Sequence, residues 1–271
     1  MSKALRHILS LSGGKDSAAL AVYMRDRVPE MEYIFHDSGK ELKETYNYLD
    51  RLEVLLGKPI VRTTSGDSFD HWLKVYGNMI PSNHRRWCTR MLKLKPFEDY
   101  VGDDPVINYV GLRADEDREG YISHKPNIKA VYPFREAGKV RADIIKILED
   151  SGLGLPPYMA WGRSRSGCFF CFYQQRIEWV RLKENHPDLF EEAQKYEEES
   201  RKHGGPFNWN ANESLAELGR PERMAEIKRE WEEKQNRKRG ATPKRRLIQI
   251  LCDDADEDEP EEPEGCLICS I

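Results

Sequence analysis

The chain opens on a run of strand formers, His7 to Leu11, which leads into Ser12-Gly13-Gly14 and then into the helical pattern of Asp16 to Val28. An apolar run ended by paired glycines and followed by helical spacing predicts strand, tight loop and helix. The pattern then repeats: Tyr33 to Phe35 is apolar, His36-Asp37-Ser38-Gly39 is turn-like, and Glu41 to Leu56 is spaced as a helix. Further strands are expected at Pro59 to Thr63, Val106 to Val110 and Ala130 to Pro133, with helices at Leu92 to Val101 and Val140 to Glu149. Strands that alternate with helices predict an α/β fold around a mainly parallel, doubly wound sheet.

After Cys171 the texture changes to charged helices, one from Arg176 to His203 and another from Pro221 to Arg239, which read as a helical cap on the sheet. Residues 253–264 are acidic and proline-containing with nothing to bury, the pattern of a disordered tether. The expected organisation is an α/β domain over 1–171, a helical extension over 172–251, and an acidic flexible tail over 252–271 that ends in a C-x₂-C pair, Cys266 and Cys269.

Composition narrows this picture. A chain of 271 residues, 39% hydrophobic, can bury one sizeable core and carry a smaller appendage. It has no apolar run long enough for a membrane span, and its start lacks the basic-then-apolar layout of a secretory signal, so the expectation is a cytoplasmic protein. The net charge of −4 conceals an asymmetry, because the tail from Cys252 carries no Lys or Arg and the body before it is net basic. A dense basic run, Lys234, Arg237, Lys238, Arg239, Lys244, Arg245 and Arg246, precedes the tail and reads either as a solvated helix end or as a nucleic-acid contact. Six cysteines in a reducing compartment argue for metal, cluster or redox use of some of them.

Chemistry concentrates in Ser12-Gly13-Gly14-Lys15-Asp16-Ser17. Two glycines let backbone approach an anion, and the N–H groups at a helix start point at it with the positive end of the helix dipole behind them. Lys15 adds a cation, Ser12 and Ser17 add hydroxyls, and Asp16 is placed to hold Mg²⁺ or to fix the loop. A Walker A loop would need a glycine where Leu9 stands, so that reading fails.

The hexapeptide resembles the SGGxDS loop of the PP-loop ATP pyrophosphatases. Asp37-Ser38-Gly39 with Glu44-Thr45 resembles the DTG…ET element of the phosphoadenylyl-sulfate reductase-like branch, with serine in place of threonine. Gly111-Leu112-Arg113-Ala114-Asp115-Glu116-Asp117 resembles that branch's GxRxxES element, with aspartate in place of serine. The likeness extends through Tyr132-Pro133-Phe134 and Pro157-Tyr158 to Gly167-Cys168-Phe169-Phe170-Cys171. It implies an adenine nucleotide alpha-hydrolase-like (HUP) fold. Lys15, Asp16 and Arg113 would be catalytic, and Ser12, Gly13, Gly14, Ser17, Asp37, Ser38, Gly39, Gly111 and Glu116 would join them in holding ATP. Arg113 would face the phosphates and Glu116 would brace it.

Cys168 and Cys171 are spaced to hold one edge of a metal or cluster, and Cys88 stands where the family places its other cysteine ligands. The resemblance implies a [4Fe–4S] cluster on Cys88, Cys168 and Cys171, with either Cys252 as fourth ligand or one iron left open to bind sulfide or substrate; zinc and free packed thiols are the alternatives. Arg85 and Arg86 flank Cys88 as candidate contacts for a second substrate, while Arg163 and Arg165 are candidates to close over the nucleotide. His36 and His84 read as structural.

The function implied is that of an ATP pyrophosphatase or adenylyltransferase that activates a substrate oxygen for sulfur incorporation, in nucleic-acid modification such as DNA phosphorothioation. Its expected partners are a nucleic acid, DNA above RNA, and a sulfur-donor protein such as a cysteine desulfurase; no membrane is expected, and self-association is left open. Two other readings stand beside it: a phosphoadenylyl-sulfate or adenylyl-sulfate reductase, and a non-catalytic nucleotide-binding regulatory subunit.

Overall fold

The computed structural model describes residues 4–117, 123, 125–204, 208–210 and 213–240. Among them, β1 (Arg6–Leu11), β2 (Glu32–His36), β3 (Ile60–Thr63), β4 (Val106–Tyr109) and β5 (Ile128–Val131) form a parallel sheet in the order β3-β2-β1-β4-β5. Helices α1 (Lys15–Met24) and α2 (Lys43–Leu56) follow β1 and β2, and α3 (Phe69–Val75) follows β3. The chain then runs through α4 (Trp87–Thr89), a widened π-type turn (Arg90–Leu94) and α5 (Lys95–Val101) into β4. The short α6 (Pro133–Glu136) and α7 (Arg141–Asp150) follow β5. A 3₁₀ turn (Pro157–Trp161) then leads to α8 (Arg176–Asn185), α9 (Pro187–Lys202), α10 (Leu215–Leu218) and α11 (Pro221–Gly240).

Side chains alternate across a strand, so each of these strands feeds two layers. Leu9, Leu11, Tyr33 and Phe35 face a core shared with Ala18 and Leu20 of α1, Leu49 and Leu52 of α2 and Ile144 and Leu148 of α7. Ile8, Ile34, Val106 and Ile128 face the opposite way, onto Phe97 and Val101 of α5. Helices therefore cover both faces, the doubly wound arrangement expected from the sequence.

A third core is mostly aromatic. Phe69 of α3, Trp87 of α4, and Phe169 and Phe170 of the C-x₂-C loop pack with Trp179, Phe190 and Trp209 of the C-terminal part. Phe170 stacks on Trp209 at 4.8 Å between ring centres. Lys40 bridges Asp70 (3.1 Å) and Glu192 (3.0 Å) at the edge of this core, joining the turn after β2 to α3 and α9.

Several boundaries differ from the sequence expectation. The helix read from Arg176 to His203 is two helices, because Pro187 disfavours helical backbone in His186, whose φ of −138° and ψ of 67° break the run. The strand placed at Ala130 to Pro133 lies at Ile128–Val131, since Pro133 starts α6. The helix expected over Leu92 to Val101 begins with the π-type turn, and Pro96 sits in the first turn of α5. Residues 241–271 lie outside the described residues, and with them the expected tether, Cys252, Cys266, Cys269 and the basic positions Lys244, Arg245 and Arg246.

Candidate functional site

In a sheet ordered 3-2-1-4-5 the chain leaves β1 and β4 in opposite directions, which opens a crevice between them at the carboxyl ends of the strands. Ser12 follows β1, Asp37 follows β2, and Val110-Gly111 follows β4, so three motifs far apart in sequence reach one edge of the sheet.

The loop after β1 is drawn tight by its glycines. Gly13 has φ +73°, and a Cβ there would stand 2.4 Å from Thr45 Cγ2 on α2. At Gly14 a Cβ would meet Ser166 Oγ at 3.0 Å and Ser12 Oγ at 3.2 Å, so this position is a cradle lined by hydroxyls. Gly111 admits a close approach of the β4 loop: a Cβ there would lie 3.0 Å from the Asp16 carbonyl oxygen. Ser12 Oγ lies 3.1 Å from Ser17 Oγ, Ser17 Oγ donates to the Gly14 carbonyl (3.2 Å), and Tyr158 OH donates to the Gly13 carbonyl (3.3 Å). Gly14 caps α1 with extended backbone and no side-chain hydrogen bond.

Charge is gathered against this loop. Arg113, buried to 6% exposure, donates from Nη1 to Asp16 Oδ1 (2.9 Å) and from Nε to Asp115 Oδ1 (2.9 Å), and its Nη1 stands 3.0 Å from Glu116 Oε1. Lys15 Nζ is 3.4 Å from the second oxygen of Asp16. Burial opposes ionisation of Asp16, but Lys15 and Arg113 outweigh it and hold the carboxyl below the usual carboxylate range. Glu116 lies against Arg113 as a counter-charge. Asp115 does so as well, and it also accepts from the Arg141 backbone N–H (3.4 Å) at the start of α7. Both oxygens of Asp16 lie against cations, contacts that tie this carboxylate to the loop.

After β2, Asp37 Oδ1 accepts from Gly39 N (2.8 Å) and Tyr46 OH (2.6 Å), contacts that shape its own turn. Ser38 points elsewhere: its Oγ is 3.1 Å from Cys168 Sγ and 3.4 Å from Glu41 Oε1. His36 is buried and structural, with Nδ1 2.6 Å from Thr63 Oγ1; burial, with Lys93 nearby, lowers it to about 3.

The C-x₂-C loop docks on the same turn. Phe169 N donates to the Lys40 carbonyl (2.8 Å), and burial, reinforced by Glu41, pushes the Cys168 thiol well above its ordinary value. Arg163 does not close over a nucleotide. It is 1% exposed, and its guanidinium donates to the carbonyls of Arg165 (3.0 Å), Gly167 (2.9 Å) and Cys168 (2.8 Å), pinning the loop from beneath. Arg165 and Arg86 instead flank the Tyr173 ring, at 6.0 and 5.3 Å. Cys88 and Cys168 border one aromatic core, but no three His, Cys, Asp or Glu side chains are placed to hold a metal ion among the described residues. Of the expected cluster ligands, Cys88, Cys168 and Cys171 are described and partly buried, and Cys252 lies outside the described residues.

Sequence reasoning missed Asp115, Ser166 and Tyr158 as parts of the site. Asp115 lies at a variable position of its motif, and the other two come from the segment leading to Cys168, which only folding brings under the phosphate loop.

A glycine-rich, cation-backed helix start stands at the carboxyl edge of a parallel 3-2-1-4-5 sheet, where open α/β sheets take their ligands. Residues 6–130, just under half of the chain, match the model of the phosphoadenosine phosphosulfate reductase domain, and over this stretch the chain is similar to that family. Two uncharacterized proteins of Methanocaldococcus jannaschii are similar to it, each 26% identical, over 68% and 67% of this chain and 40% and 45% of their own length. The chain thus spans less than half the length of these relatives. An uncharacterized 37.8 kDa protein of Escherichia phage 186 is 23% identical over 65% of this chain and 70% of its own. Among solved structures, phosphoadenylyl-sulfate reductase from Candida auris, in a phosphate complex, aligns with a TM-score of 0.48 at 12% identity, over 60% of this chain and 81% of that one. No described helix is long and apolar enough to cross a membrane.

Proposed function

We propose that the chain is an ATP pyrophosphatase or adenylyltransferase that activates a substrate oxygen for replacement by sulfur, with nucleic acid, DNA above RNA, as acceptor. The observation that carries this reading is the hydroxyl-lined cradle at Gly14, set at the start of α1 with Lys15 buried beside it. In this reading the β- and γ-phosphates lie against the amides of Gly13 to Asp16, Lys15 neutralises charge that develops on the leaving pyrophosphate, and Arg113 faces the α-phosphate. The acceptor oxygen bonds to the α-phosphorus as the bond to the β-phosphate oxygen breaks, and adenylate later departs as sulfur arrives. Positioning and electrostatic stabilisation carry such a step, with little demand for a general base.

Mg²⁺ would accompany the phosphates, and Asp16, whose Oδ1 accepts from Arg113 and whose Oδ2 lies 3.4 Å from Lys15 Nζ, would be the carboxylate to hold it. An iron–sulfur cluster would be held by Cys88, Cys168 and Cys171, with a further ligand such as Cys252. A sulfur-donor protein would supply the incoming atom.

The match to the phosphoadenosine phosphosulfate reductase domain supports a second reading, in which the loop binds a ready-made sulfated adenylate. The test is product analysis on anaerobically purified protein, with iron and zinc measured on the same sample. Pyrophosphate from ATP, stimulated by DNA, is the expected result. Sulfite from phosphoadenylyl-sulfate with thioredoxin, and no pyrophosphate, would replace this reading by the reductase.

A further inference from the structure

The segment Arg163 to Cys171 touches both halves of the site. Ser166, 8% exposed, donates from Oγ to Ser12 Oγ (3.3 Å), and it is the nearest side chain to the space above Gly14. With Ser17 Oγ 3.1 Å from Ser12 Oγ, three hydroxyls run in a chain along the cradle. Hydroxyl protons rotate to suit their acceptor, so an anionic oxygen entering the cradle offers Ser166 a stronger, charge-assisted partner than the Ser12 hydroxyl.

Two residues further on, Cys168 is held against Ser38, and Phe169 is bonded to the Lys40 carbonyl. Around Ser166 the loop is stiff. Arg163 grips the carbonyls of Arg165, Gly167 and Cys168, and Ser164 donates from N (2.7 Å) and Oγ (2.8 Å) to Glu178 Oε1. Gly167, at φ +130°, is the joint between Ser166 and Cys168.

We propose that Ser166 is a phosphate-contacting residue which couples occupancy of the loop to the conformation of the Cys168–Cys171 segment, an inference that rests on the nucleotide-binding reading above. Drawing Ser166 toward a phosphate turns the peptide at Gly167 and changes how Cys168 sits on Ser38 and Glu41. Nucleotide binding then resets the Cys168–Cys171 segment before any later step.

The experiment combines calorimetric titration of the full chain with Mg-ATP and with pyrophosphate, and hydrogen–deuterium exchange read on peptides covering 12–17 and 163–171. ATP should slow exchange in both peptides of the unmodified protein. Ser166→Ala should weaken ATP binding by about tenfold, the loss of one hydrogen bond to a charged group. It should keep the slowing at 12–17 and lose it at 163–171, while Ser166→Thr, which retains the hydroxyl, should restore both. Ser166→Ala binding ATP within about twofold of the unmodified protein, or keeping the slowing at 163–171, overturns the coupling and leaves the nucleotide reading standing. Failure of the unmodified protein to bind either ligand overturns both.

Discussion

Replacement of Gly13 by alanine tests the geometry on which the site depends. The residue sits at φ +73°, where an L side chain costs about 1–2 kcal/mol. The added Cβ would also stand 2.4 Å from Thr45 Cγ2, and Thr45 is fully buried on α2, so the neighbour cannot swing into solvent. Overpacking of this kind costs about 1–3 kcal/mol, and together the two effects put Gly13→Ala about 2–5 kcal/mol below the parent. They separate in a double-mutant cycle with Thr45→Ser, which removes the clashing methyl and leaves the backbone strain. Thr45→Ser alone should cost about 1 kcal/mol for the lost buried methyl. In the double variant the clash disappears, so the two changes should be non-additive by at least about 1 kcal/mol while a residual loss of about 1–2 kcal/mol persists. Urea unfolding of the four proteins at constant m-value reads these numbers directly. A loss below about 0.5 kcal/mol for Gly13→Ala, within the range of ordinary surface changes, or strict additivity with Thr45→Ser, would refute the account of the loop.

Other predictions concern charge. Arg113→Met leaves Asp16 with Lys15 as its nearby cation and with Asp115 and Glu116 close by, so the Asp16 carboxyl that Arg113 had helped to hold down should rise. The parent keeps the stability contributed by Asp16 above the unfolded carboxyl value of about 3.9 and loses it as pH falls through the lower folded value; the variant should instead gain stability between pH 7 and 4.5, read as a rising urea midpoint. His36, lowered to about 3, stays neutral in the fold while the unfolded chain binds a proton below about 6.5, so it should cost stability as pH falls from there toward 3. Its imidazole resonances should not shift between pH 8 and 5; a midpoint near 6.5 would show that the ring is not sequestered.

Much of this protein was legible in the sequence because the signals are local. Paired glycines between an apolar run and a helical pattern locate the Ser12–Ser17 loop, and alternation along residues 8–11 and 33–35 sends side chains to two faces of a sheet. The family motifs, read by likeness, supplied Arg113 and its brace Glu116. Tertiary structure decided what those side chains touch. Asp16 reads as either a metal ligand or a brace for the loop, and only the fold sets Arg113, 97 residues away in the chain, against its carboxylate. Arg163 reads as a lid until burial turns its guanidinium onto three carbonyls of its own loop. Ser166 carries no motif at all and becomes part of the cradle only when the C-x₂-C segment folds onto β1 and β2. Backbone conformation and hydrophobic period are set by neighbours within a few residues, whereas the partner of a charge is chosen by which distant segments the packed core brings within hydrogen-bond reach.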